Sequence, residues 1–485
     1  MVSRRRRRAL GVIAGVVAFA GCASSGPSDP VTAGRVLRVP DAHATIQQAV
    51  DEADPGDLVL VSPGTYREGV DVVTDGITIR GLDRRGVVVD GEFERPNGIR
   101  VLGAADVTIE NLTVTNHTDN GIYWTSASGY RGSYIDAIRN LNYGIYAFDS
   151  IGGRIEHSYA SGSGDAGVYV GQCFPCDAVV DDVIAEHNGL GYSGTNAGGD
   201  LYIVNSVFRR NRVGMLPNSG TYELCYPQRA TTIAGNLVYS NNQPDTPANP
   251  SVLLVAGNGI LVQGGIGNVI DRNRVVDHDR TGIALMTFPE PSPNDDMPTV
   301  DEYGVGCAEQ RSQPAVDEPP DQLFWESASN RVIGNVVEDS RLADLAADAV
   351  EVPVDGLDNC FADNEYTTAA PSGLAELADC DAPVAGDWAA GALDIRDWYD
   401  EFGAQPPPVP LRDAVLPPPP DLPGLTDPES APWGQPVDLS VDLDSITVPP
   451  PPTPPPPSPP PSPSPPPPSP SSPPPSPPPS STAGD

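Results

Sequence analysis

A glycine followed by an apolar residue returns at near-constant spacing through the middle of the chain: Gly98-Ile99, Gly121-Ile122, Gly144-Ile145, Gly167-Val168, Gly191-Tyr192, Gly214-Met215, Gly259-Ile260 and Gly282-Ile283. The steps are 23, 23, 23, 24, 23, 45 and 23 residues. About halfway through each unit a second apolar alternation appears, often carrying Asn or Asp, as in Val107 to Val114, Val204 to Phe208 and Val269 to Val276. Short period-two runs between Gly and Asn turns are the pattern of short strands. A coil of about 23 residues with several such strands cannot bury its own inner face. Stacked coils can, so the period predicts a solenoid.

The start of the solenoid is also legible. Thr45 to Ala53 has the spacing of a short amphipathic helix, followed by a turn at Pro55-Gly56-Asp57 and a buried strand at Leu58 to Val61. A helix there would cover the open end of the core and the first strand edges. The cap together with the Gly-apolar repeats resembles the right-handed parallel β-helix superfamily, which includes pectate-lyase-like enzymes and copper-associated NosD-type proteins. The resemblance spans residues 35–350 and implies an all-β, right-handed parallel β-helix solenoid with an N-terminal capping helix. It says little about activity, because such solenoids carry lyases, hydrolases, epimerases, adhesins and inert scaffolds. Insertions are expected at 217–230, 243–257 and 289–329. Residues 351–404 read as a C-terminal cap, with Cys360 and Cys380 flanking a short helix near Ser372 to Ala378.

The two ends carry different signals. Arg4 to Arg8 precede an apolar run from Gly11 to Ala20, and Phe19-Ala20-Gly21-Cys22 resembles a bacterial lipobox with Phe in place of the usual Leu. Residues 1–21 are therefore expected to be a lipoprotein-type signal peptide, Cys22 a lipidation site and 22–34 a linker. An ordinary secretory signal with a chance Cys is the other reading. Either implies export. The lipobox adds a cell-membrane anchor facing the extracellular or cell-wall side. Of seven Cys, the six beyond Cys22 suit disulfides in an exported chain. Cys360 with Cys380 is the expected pair and Cys225 with Cys307 a second. Cys173-Phe174-Pro175-Cys176 reads as structural bridging, its pairing left open. Residues 405–485 are Pro-rich and expected to be a disordered, polyproline-like spacer, or else a tail that binds a wall polymer or partner.

Composition removes several functions. All 28 basic residues are Arg, so Schiff-base chemistry, a lysine base and a P-loop lysine are absent. A net charge of -37 repels nucleic acid at most approaches.

In a solenoid, residues one period apart become neighbours about 4.8 Å apart, so sequence register becomes geometry. Tyr123, Tyr146 and Tyr169 each lie two residues after a repeat Gly, with Arg100 and Ser193 continuing the column. If Ile122, Ile145 and Val168 point inward, these side chains point outward and can stack on sugar rings. The alternative is a purely structural ladder. Asp177 and Asp200 share a register position, as do His157 and Asp181 by the same count. Such pairs suit acid/base chemistry or Ca2+ binding, or are merely solvated turn residues in an acidic protein. His117, His187 and His278 share a column but lie too far apart for one metal and read as turn residues. The segments 171–178, 217–230 and 289–329 gather loops at one corner, where a site is most readily built.

Three functions follow from these residues and the resemblance: a surface module that binds extracellular polysaccharide or cell-wall glycan without catalysis, a polysaccharide lyase or glycoside hydrolase using the paired carboxylates, and a NosD-like metal-delivery protein. Met215 and Met286 are too few for the last. The Asp sets and Gly-His-Gly of polygalacturonase-like hydrolases are absent, while an Arg-based, Ca2+-assisted elimination stays open. No cofactor is assigned beyond that conditional Ca2+.

Overall fold

The computed structural model describes residues 34–291, 293, 307, 322–348, 356–381 and 407–453. The signal segment and Cys22 lie outside them. The chain winds into parallel coils, each adding strands to a 20-stranded sheet and most adding one to an 11-stranded sheet. Strands pair with those of the next coil in parallel register, as in Ile122 to Ile145 and Ile145 to Val168. This is the solenoid that the period requires.

The repeat explains itself in the 11-stranded sheet. The residue after each glycine points inward: Ile99, Ile122, Ile145, Val168, Tyr192, Met215, Ile260 and Ile283 form one buried column, none more than 1 % exposed. The glycine is needed because the next coil's backbone fills the space of a side chain. A Cβ on Gly98 would lie 2.6 Å from the carbonyl oxygen of Gly121, and one on Gly121 2.5 Å from that of Gly144.

The turns are held by columns of buried amides. In one, the backbone N–H of Asn188 donates to Asn211 Oδ1 at 2.9 Å and that of Asn211 to Asn241 Oδ1 at 3.0 Å. A second runs through Asn236, Asn273, Asn335 and Asn364, and a third through Asn268, Asn330 and Asn359. Each side-chain amide meets a backbone group that the bend leaves unpaired. The residue before a ladder position turns the chain in left-handed geometry, as at Arg210 (φ 53) and Ser240 (φ 52). His117 and His278 end the first column, bonded to Asn140 at 3.0 Å and to Asn241 at 3.3 Å. His187 is not in that column. Its coil is one residue shorter before the repeat glycine, so Asn188 takes the ladder position.

The N-terminal cap matches expectation; of the C-terminal cap expected at 351–404, residues 356–381 lie within the described residues. A helix covers Ile46–Glu52, with Thr45 Oγ1 accepting from the Gln48 N–H at 3.1 Å and Ile46, Ala49 and Val50 buried. At the other end a short helix, Leu374–Leu377, lies between Cys360 and Cys380, which are bonded. Cys225–Cys307 and Cys173–Cys176 are the other disulfides. The last insertion starts and ends in an antiparallel hairpin, Phe288–Pro291 with Gln322–Trp325. The one before it contains a 3-10 turn at Pro250–Val255.

The Pro-rich region differs from a uniform disordered tail. Contacts divide the chain at Pro450, and before that point residues 407–450 lie against the coils. Arg80 donates to the Pro428, Ala431 and Pro432 carbonyls at 3.0, 2.7 and 2.9 Å, and Arg274 to that of Pro449 at 2.7 Å. Proline composition favours an extended path but does not forbid docking, because its carbonyls remain free to accept. Residues 454–485 lie outside the described residues.

Candidate functional site

The tyrosine column forms as its spacing requires. Arg100, Tyr123, Tyr146, Tyr169 and Ser193 occupy one register position on consecutive coils of the 11-stranded sheet. The Tyr123 and Tyr146 rings stack with centroids 4.7 Å apart and an interplanar angle of 21°. Tyr146 meets Tyr169 at 4.8 Å and 61°. Tyr123 and Tyr146 are half-buried, whereas Tyr169 is only 1 % exposed. Arg100 stands at the edge in a two-point ion pair with Asp71, both bonds 2.9 Å.

Sequence reasoning missed the groups that surround this column. Tyr143 stacks on Tyr146 with centroids 4.3 Å apart at 8°, doubling the aromatic floor. Asp165 stands beside it, accepting from Asn249 Nδ2 at 3.1 Å and from the Tyr143 hydroxyl at 3.3 Å. Asn249 comes from the insertion before Pro250–Val255, and its N–H holds the Gly164 carbonyl at 2.6 Å. Glu223 comes from the 217–230 insertion and accepts from the Tyr169 hydroxyl. That loop is pinned from below. Asn196 donates to the Gly220 and Glu223 carbonyls at 2.6 and 2.7 Å, and Gln172 Oε1 takes the Leu224 N–H at 2.8 Å. The Cys225–Cys307 bridge fixes its far side. The three corner loops meet as expected: Arg229 lies 3.6 Å over the Phe174 ring, and Glu290 accepts from Thr221 and Trp325.

Burial disfavours both charged carboxylates here. It pushes Asp165 up to about 6, against the opposing hydrogen bonds from Asn249 and Tyr143. It pushes Glu223 up to about 8, with Asp165's charge adding to the effect and the Tyr169 hydrogen bond opposing it. One Glu223 oxygen, Oε2, is buried with no hydrogen-bond partner. Near neutral pH the cleft therefore holds a mainly ionised Asp165 and a mainly protonated Glu223, linked through Tyr143, Tyr146 and Tyr169. Such an arrangement can accept a proton at one carboxyl and give one at the other.

The carboxylate pairs expected from register do not form a site. Asp177 and Asp200 do sit on adjacent coils, since Ala178 pairs with Leu201. Both are left-handed turn residues, φ 46 and 49, and no hydrogen bond joins their carboxylates. Exposed Asp200 accepts instead from the Tyr202 hydroxyl at 3.4 Å. His157 pairs with Asp182 at 2.7 Å, not with Asp181, which takes Arg154 at 2.5 Å and Asn205 at 3.1 Å. The Asp182 hydrogen bond raises the His157 pKa. The counting error is one residue. The coil containing Cys173–Cys176 advances 25 residues at Arg154 to Val179 but only 24 at Tyr169 to Ser193. Among the described residues no three His, Cys, Asp or Glu side chains converge as a metal site. Met215 and Met286 are buried in the packed interior.

Residues 70–224 and 131–291 match the family model described as right handed beta helix region. With the coil geometry above, this match makes the fold a right-handed parallel β-helix. Similar solved structures include the A-module of an Azotobacter vinelandii mannuronan C-5 epimerase, 15 % identical over 66 % of this chain and 90 % of its own, with a TM-score of 0.46. A rhamnogalacturonan lyase is 11 % identical over 67 % and 87 %, with a TM-score of 0.45. A pectate lyase is 14 % identical over 70 % and 79 %, with a TM-score of 0.40. No curated protein sequence matches the chain.

Proposed function

We propose that this protein is an exported, lipid-anchored module that binds extracellular glycan at the tyrosine column around Tyr146. The observation that carries this reading is the aromatic floor, with Tyr123, Tyr143 and Tyr146 ring on ring. Tyr146 lies between Tyr123 and Tyr143, so this column meets a sugar with its ring edges and hydroxyls, and Asn249, Asp165 and Arg100 supply further polar partners for the sugar hydroxyls. The acidic cleft suits a neutral glycan better than a polyuronate. The anchor rests on the lipobox-like Phe19-Ala20-Gly21-Cys22.

A second reading, catalysis on the bound glycan, is favoured by one observation: two carboxyls of raised pKa flank the same floor. A glycan array on the full-length protein, followed by product analysis on each hit, tests both. Binding with no product supports the module. Release of shortened or unsaturated products, lost in Glu223→Gln while binding persists, supports the enzyme, because a proton donor matters most in the transition state. An array with no hits removes both.

A further inference from the structure

Residues 407–450 contact the coils in a consistent manner. Most of the polar contacts are coil guanidinium groups donating to backbone carbonyls of this segment; Arg38 with the Glu429 carboxylate, the Leu425 N–H to Asn111 Oδ1 and Arg412 to the Phe93 carbonyl are of other kinds. Arg139 holds Leu411 and Arg412 at 3.2 and 2.9 Å. Arg84 holds Pro423 at 2.8 Å, and Arg80 holds the turn Pro428 to Pro432. There Trp433 Nε1 reaches the Gly56 carbonyl of the first coil at 3.1 Å. The segment then runs back, held by Arg154 at Asp438 (3.1 Å), Arg272 at Ile446 (2.7 Å) and Arg274 at Pro449.

The donors are built into the solenoid. Arg80 is 1 % exposed and bonded to Glu110 at 2.6 Å, and Arg84 is 4 % exposed and paired with Asp136 at 2.7 Å. Each carboxylate fixes one edge of a guanidinium and leaves the other edge for a carbonyl. Apolar anchors accompany them: Leu411, Ala414 and Ile446 are 8, 3 and 5 % exposed, and Ile446 packs on Val204 and Ala234. A proline-rich chain lacks the N–H groups needed to add as a strand. Carbonyls of its extended stretches and of its turns, such as Leu411–Asp413, find no strand partner, so a row of permanently charged donors suits it.

We propose that the outer face of the 20-stranded sheet is a recognition track for a proline-rich chain, occupied in cis by residues 407–449. The track reads carbonyls together with the apolar anchors Leu411, Ala414 and Ile446. It latches the first coil to the coils around Arg272 through a segment that behaves as a bound peptide.

The test uses the full chain with a protease site placed between Asp381 and Pro407 and cut after folding. The fragment beginning near residue 407 should co-elute with the solenoid at micromolar concentration. Excess synthetic 407–449 peptide should displace it. Peptides carrying Ile446→Glu or Trp433→Ala should need at least tenfold higher concentration, and nicked Arg139→Ala protein should release the fragment more readily. Separation of the unsubstituted fragment on nicking would overturn the proposal. So would equal displacement by a peptide whose prolines are replaced by alanine, since the track would then not depend on the prolines.

Discussion

Glu223 shows what one buried carboxyl does to a molecule with so many solvated ones. Its pKa rises from 4.5 to about 8. Between those values the unfolded chain is ionised while the native cleft keeps its proton, so this group's contribution to stability falls as pH rises. The slope is at most about 1.4 kcal/mol per pH unit and is reduced by the group's partial exposure. Asp165 acts in the same direction over a lower window, from 3.8 to about 6. Glu223→Gln keeps a neutral side chain and should flatten the decline. Urea midpoints at pH 5 and pH 8 should lie closer together in the variant than in the parent. An unchanged gap would mean that the carboxyl is solvated. Asp165 was within reach of register reasoning, because Asp119, Asn142 and Asp165 each lie two residues before a repeat Gly. Asn142 indeed donates to Asp119 at 2.6 Å. Glu223 was not, because it stands on an insertion that has no register.

At the scale of strands and turns, the amide columns carry the fold's specificity. Asn273 Oδ1 receives both the backbone N–H and the side-chain amide of Asn236, and its own amide donates to the Ile233 carbonyl at 2.9 Å. Asn273→Ala leaves these buried groups unpaired and should cost about 2–4 kcal/mol, measured by chemical denaturation. A loss below about 0.5 kcal/mol would show that the ladder is decorative. His278 adds a pH term of opposite sign to that of Glu223. Burial lowers its pKa from 6.5 to about 3. Below pH 6.5 the unfolded chain takes up a proton that the native ladder refuses, so stability falls as pH drops. His278→Asn keeps an amide in the column and should make the thermal midpoint less sensitive between pH 7 and pH 4 than in the parent. The inward column and the tyrosine register were legible because they obey one period, and the N-terminal cap because its apolar residues fall at helical spacing. His157 and Asp181 were misjudged because two extra residues enter their coil at the Cys173–Cys176 loop and one leaves it before Leu190.

At the scale of the solenoid, the two sheets are used differently. The 11-stranded sheet carries the tyrosine column, and the 20-stranded sheet carries the docked proline-rich segment. Proline content alone suggested a spacer, because composition reports the absence of a core and not the presence of a groove. The proposed membrane anchor belongs to this scale too: if Cys22 is lipidated, Cys22→Ala should move the protein from the membrane to the soluble fraction, and full retention of the variant would reject lipidation. The central claim is that the tyrosine column around Tyr146 binds glycan. Its most direct measurement is calorimetric titration of an array-identified glycan into the parent and into Tyr146→Ala, with thermal midpoints recorded for both. The account predicts about 1–2 kcal/mol weaker binding in the variant with a native-like melting transition. Equal affinity in the two proteins would contradict it.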